Sequence, residues 1–123
     1  MIDLNKILAE LSDCEFKEML EVKKPKSWLK TVSAFANEHG GVLIFGMRDD
    51  KTVIGLSNNK DVIDIASKIL KEKIDPQPKV VFKAEKTEDG KDILVLEIYS
   101  GKDTPYYYSS DGNKIAYIRI DFV

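Results

Sequence analysis

The stretch Val32-Ser33-Ala34-Phe35-Ala36-Asn37-Glu38-His39-Gly40-Gly41-Val42-Leu43-Ile44-Phe45-Gly46-Met47-Arg48-Asp49-Asp50 carries a helix end, a tight turn, a buried strand and an acidic turn in succession. Trp28, Val32, Phe35 and Ala36 fall three or four residues apart and so share one face of a helix, with Ser27 as the expected N-cap and Gly40 as the stop. Val42 to Phe45 is a short, wholly apolar run that reads as a central strand. A phosphate-binding loop runs from strand through glycines into helix, and here the order is reversed. Gly40 is therefore expected to be a left-handed helix stop and Gly41 a strand entry.

Upstream, Leu4, Ile7, Leu8 and Leu11 keep helical spacing behind Asp3 as a cap. Glu15 to Leu20 alternates charged and apolar residues as an edge strand does, and Lys23-Lys24-Pro25-Lys26 breaks regular structure, because a proline disfavours helix in the residue before it. Downstream, Thr52 to Leu56 is expected to return antiparallel to the central strand across Asp49-Asp50-Lys51. Val62, Ile65, Ala66, Ile69 and Leu70 mark the apolar stripe of a further helix, ended by Asp75-Pro76-Gln77-Pro78. Lys79 to Lys86 and Asp92 to Tyr99 form a hairpin around Glu88-Asp89-Gly90, and Tyr106-Tyr107-Tyr108 is paired with Ile115 to Ile120 across Asp111-Gly112-Asn113. Strands with interspersed helices predict an α+β fold, a mainly antiparallel mixed sheet with two or three helices packed on it.

The 123 residues suffice for one domain with a core that needs no staples. Cys14 is the only cysteine and His39 the only histidine, which excludes an internal disulfide and leaves no zinc-ligand set. A buried thiol in a reducing cytoplasm is expected. No apolar run is long enough to span a bilayer and no signal-peptide pattern opens the chain, so a cytoplasmic protein without membrane contact is expected. With 19 basic and 21 acidic residues, net charge -2, the chain lacks the field of a DNA-coating protein. Contact with nucleic acid must come from a local patch.

Glu15-Phe16-Lys17, the run Ala34 to Gly41, Gly46-Met47-Arg48-Asp49-Asp50, Ile54-Gly55-Leu56 and Tyr117-Ile118-Arg119 occur in an order that closely resembles the AlbA-like domain of the Schlafen family, from about Glu10 to about Arg119. The resemblance implies a DNA-binding domain of bacterial transcriptional regulators. Members commonly continue into a regulatory or ATPase-like region, so residues 1–123 are expected to be a single Schlafen AlbA-like domain, and the resemblance leaves open its excision from a longer regulator. It also places an asparagine where Asn37 stands, read here as a buried side chain that locks the helix-to-strand turn.

Two constellations compete for the function. In Schlafen proteins that cleave RNA, the resemblance implies two glutamates five residues apart and an aspartate after the central strand, matched here by Glu10, Glu15 and Asp49. Together they would serve as catalytic residues and ligands of Mg²⁺ or Mn²⁺ in a metal-dependent endonuclease acting on RNA or DNA. The bland alternative makes Glu10 a solvated helix residue, Glu15 the partner of a lysine and Asp49 a turn former. Arg48 stands where the family often has another acid, which favours the bland alternative, although Asp50 offers a partial replacement.

The second constellation is Lys17, Lys23, Lys24, Lys26 and Lys30, opposed locally only by Glu18 and Glu21. With the helix that follows, these lysines can hold phosphates. Arg48 and Arg119 are the only arginines, suited to a carboxylate or a phosphate, and strand alternation would put Arg119 on the face of Tyr117. The same alternation buries Tyr107 and sets Tyr106 and Tyr108 on the other face, where stacking, sheet packing or a dimer interface are the alternatives.

The reading adopted from the sequence is a DNA-binding module of a transcriptional regulator, not itself an enzyme and without a cofactor. It would contact backbone phosphates through Lys17, Lys23, Lys24, Lys26, Lys30, Arg48 and Arg119, and a homodimer is compatible with it. The nuclease is the first alternative, and a nucleotide-sensing or dimerisation domain of an ATPase-like regulator is the second.

Overall fold

The computed structural model describes residues 13–57 and 61–119, so the expected leading helix and Glu10 lie outside the described residues. Strands β1 (Cys14–Lys17), β2 (Gly41–Phe45), β4 (Val80–Lys86) and β5 (Asp92–Ile98) form one sheet in the order β1-β2-β5-β4. The short β3 (Ile74–Asp75), β6 (Tyr107–Ser110) and β7 (Asn113–Ala116) form a second in the order β3-β6-β7. Helices α1 (Lys26–Asn37) and α2 (Val62–Lys73) complete an α+β fold. The strands thus divide between two sheets instead of joining one.

In the larger sheet β1 runs parallel to β2, with Glu15 opposite Leu43 and Lys17 opposite Phe45, while β5 lies antiparallel to both β2 and β4. Leu43, Phe45, Leu94, Leu96 and Ile98 meet Trp28, Leu29, Val32 and Phe35 of α1 and Val62, Ala66 and Leu70 of α2. The alternate residues Val42, Ile44, Ile93 and Val95 form a second cluster with Met47, Cys14 and Phe16 on the opposite face. Burial on both faces explains why β2 and the middle of β5 are continuously apolar instead of alternating. Trp28 meets Phe45 edge-on with ring centroids 5.6 Å apart, a geometry that favours aromatic pairs beyond their buried area.

Helix α1 starts earlier than the Ser27 cap implies. Pro25 is the N-cap, its carbonyl accepting from the Trp28 and Leu29 N–H groups, and no side chain caps the helix. Ser27 lies inside the first turn, and its buried Oγ has no hydrogen-bond partner among the described residues. Proline lacks an N–H to donate and holds a φ suited to this end of a helix, so it begins one without a hydroxyl cap. At the other end Gly40 has φ +77° and donates its N–H to the Phe35 carbonyl. A Cβ at Gly40 would lie 2.6 Å from the Ile98 carbonyl oxygen, so the helix-stop reading holds for reasons of both dihedral and space.

Two local expectations are corrected. Thr52 to Leu56 forms no strand: a single bridge joins Met47 to Val53, and the Gly46 carbonyl then takes both the Ile54 and Gly55 N–H groups, which turns the chain out of the ladder. The tyrosines alternate as expected but in the opposite phase, with Tyr106 and Tyr108 buried and Tyr107 half-buried. Tyr108 pairs with Ile74 and joins the core beneath the helices. β7 ends at Ala116, and residues 117–119 leave the sheet to lie against α1.

Candidate nucleic-acid interface

The C-terminal half of α1 collects distant segments through polar groups. The fully buried Ser33 hydroxyl donates to the Tyr106 carbonyl at 2.7 Å and accepts from the Tyr117 N–H at 3.1 Å. Asn37 donates through Nδ2 to the Tyr106 and Tyr117 carbonyls, each at 3.0 Å, and its Oδ1 accepts the Tyr106 N–H at 2.6 Å. Asn37 therefore fastens residues 106 and 117 to the helix, a longer-range task than locking the adjacent turn. Glu38 accepts the Arg119 N–H at 3.0 Å and completes the clasp.

This clasp delivers Arg119 to β1. Its Nη1 lies 3.4 Å from Glu15 Oε1, and its guanidinium sits 5.1 Å from the centroid of the Phe35 ring. Glu15 Oε2 accepts the Thr31 hydroxyl at 2.6 Å and has Lys17 Nζ at 3.7 Å. One carboxylate thus holds two cations and a hydroxyl. Thr31 was not singled out from the sequence, although a polar residue on the inward face of an amphipathic helix is the available signal. Cys14, beside Glu15 on β1, has its thiol pushed up to about 11 chiefly by burial, which outweighs the lowering by Arg119. A thiol held neutral in this way is a poor nucleophile.

Glu15 separates two shallow grooves. One, about 340 Å³, is lined by Glu15, Phe16, Lys17, Glu18, Met47 and Asp49. The other, about 290 Å³, is lined by Glu15, Lys30, Thr31, Tyr117, Ile118 and Arg119. Glu15 and Asp49 therefore share a groove, but Glu15 is held by Lys17 and Arg119, and Glu18 pairs with Arg48 at 3.3 Å. Asp50 turns back on its own loop, where hydrogen bonds from the Thr52 side chain and backbone hold its carboxyl below the usual range. Among the described residues no three His, Cys, Asp or Glu side chains group as a metal site, and Glu10, the third member of the ligand set expected with Glu15 and Asp49, lies outside them.

The cations divide into two classes. Lys17, Arg48 and Arg119 are engaged by carboxylates, the Arg48–Glu18 pair at an exposed position where such pairs contribute under about 1 kcal/mol. Lys23, Lys24, Lys26 and Lys30 are exposed, and none is within ion-pair distance of a carboxylate among the described residues. They sit on the approach to α1 and on its first turns, along one short stretch of chain.

Comparison with known proteins gives a match to the family described as Schlafen, AlbA_2 over residues 10–122. Among solved structures, the solution NMR structure of the N-terminal domain of a protein from Nitrosomonas europaea, described as related to the ATP-dependent DNA helicase RecG, is 26% identical with a TM-score of 0.63. The alignment covers 98% of this chain and 87% of that one. No curated protein matches. No helix among the described residues is long and apolar enough to cross a membrane.

Proposed function

This chain belongs to the Schlafen AlbA_2 family, and on that premise we propose that it is a DNA-binding module of a transcriptional regulator that grips backbone phosphates through Lys23, Lys24, Lys26 and Lys30. The observation that carries this reading is the stretch of four exposed lysines without carboxylate partners among the described residues, in a chain whose net charge is -2. Free ammonium groups can take phosphates without first breaking an internal pair. Lysine supplies a point charge and no fixed fork, so such contacts position a duplex and do not read its bases. The description of the Nitrosomonas europaea relative as related to a DNA helicase supports the choice of nucleic acid as the partner.

The nuclease reading has weaker support, because the Glu15 carboxylate would have to surrender Thr31, Lys17 and Arg119 before it could ligate a metal. Binding driven by phosphate contacts releases counterions. Four such contacts lower affinity about a hundredfold between roughly 50 and 200 mM salt. Fluorescence anisotropy with a labelled duplex across that range is the test. A salt-dependent affinity in the micromolar range or weaker is expected, and an affinity indifferent to salt overturns the proposal.

A further inference from the structure

The loop between β1 and α1 presents two apolar side chains that the lysine contacts leave unexplained. Met19 is 57% exposed and Val22 52% exposed, the most exposed large apolar side chains among the described residues apart from Ile118. The loop that carries them is anchored. Leu20, between them, is buried in the main core, and the Glu21 carbonyl accepts the Trp28 Nε1–H at 2.9 Å, with Trp28 itself fully buried. Met19 and Val22 are thus held outward by a plug and a hydrogen bond, and Lys23, Lys24 and Lys26 follow directly in the chain.

We infer that this loop is a wedge, with Met19 and Val22 entering a base step of duplex DNA while Lys23, Lys24 and Lys26 hold the flanking phosphates. The inference rests on the DNA-binding reading above and names its mode. Apolar tips followed in the chain by three lysines, with Glu18 beside Met19 engaged by Arg48 and Glu21 preceding Val22, match a duplex, whose stacked apolar base faces lie beside phosphate chains, and one or two apolar side chains suffice to unstack a step. An anionic membrane would also attract the lysines. Two short side chains, however, bury fewer methylenes than a single myristoyl chain, which by itself holds a protein at a membrane only marginally.

The test uses a duplex carrying 2-aminopurine at a central step, with anisotropy for affinity and fluorescence for unstacking. The parent protein is expected to raise the fluorescence on saturation. Combined Met19→Ser and Val22→Ser should abolish the rise and weaken binding about tenfold, leave the salt dependence unchanged, and leave the fold intact because both positions are exposed. Met19→Leu should keep the rise. Duplex binding by the parent without any rise, or a double variant that binds and unstacks like the parent, overturns the wedge while the lysine grip stands. No duplex binding by the parent overturns both readings. Binding of phosphatidylserine vesicles in place of duplex, lost in the double variant, overturns the wedge in favour of a lipid surface.

Discussion

At the C-terminal end of α1, Ser33, Asn37 and Glu38 each meet backbone groups of residues 106, 117 or 119, whereas on its N-terminal approach Lys23, Lys24, Lys26 and Lys30 meet no carboxylate among the described residues. A buried polar group left unpaired costs free energy, so the paired groups at the first end hold together segments about seventy to eighty residues apart in the chain. An exposed lysine is already satisfied by water and owes nothing to the fold. One helix therefore ties distant segments together at one end and leaves charge available at the other.

The separation predicts that changes at the C-terminal end unfold the protein without a specific effect on binding. Phe35→Ala should lower stability by about 3 to 5 kcal/mol, since the ring is 2% exposed, packs in the main core and underlies Arg119. Chemical denaturation measures it, and a loss under about 1 kcal/mol would break the contrast. Asn37→Ala should cost about 2 to 4 kcal/mol by orphaning the Tyr106 N–H and the Tyr117 carbonyl. Hydrogen exchange at the Tyr106 amide should accelerate with it, and unchanged protection there would show that the clasp does not couple these segments.

At the other end the expected effects appear in binding alone. Lys23→Ala, Lys24→Ala and Lys26→Ala together should weaken duplex binding about tenfold or more near physiological salt and flatten the slope of log affinity against log salt by about three, with the thermal midpoint unmoved. A matching loss of stability would mean that the lysines serve the fold. The smallest effect is expected midway between the two ends. Glu15→Gln keeps the Thr31 hydrogen bond but releases Arg119 and Lys17, so binding should tighten about twofold through reduced repulsion of phosphate, at a stability loss under about 1 kcal/mol. Neither parent nor variant should cut RNA or DNA with Mg²⁺ or Mn²⁺. Cutting by the parent that disappears in Glu15→Gln would make Glu15 catalytic and overturn the division between the two ends.

Much of this was legible in the sequence where the governing physics is local. Helical spacing picked out Trp28, Val32, Phe35 and Ala36, all buried in α1. The run Val42 to Phe45 became β2, and Gly40 took the positive φ of a helix stop. The lysine stretch could be read because its charges lie next to one another in the chain. Elsewhere local rules under-determined the outcome. Alternation correctly grouped Tyr106 with Tyr108 but could not say which group faces inward, because that depends on Ile74 and on the Ser33–Asn37 clasp. The hairpin expected after Asp49-Asp50-Lys51 failed because the Gly46 carbonyl captured the returning chain.

By itself the sequence determined the helix faces, the central strand, its glycine entry and the exposed basic stretch, since each follows from the periodicity, dihedral freedom or charge of neighbouring residues. Only the tertiary structure decided the division into two sheets, the burial of Tyr106 and Tyr108, and the pairing of Glu15 with Arg119 from 104 residues away. Whether a carboxylate faces a metal, a lysine or an arginine is a property of converging segments. A chain read in order carries each segment's chemistry but not the distances between them, and the reach of an ion pair is a few ångströms.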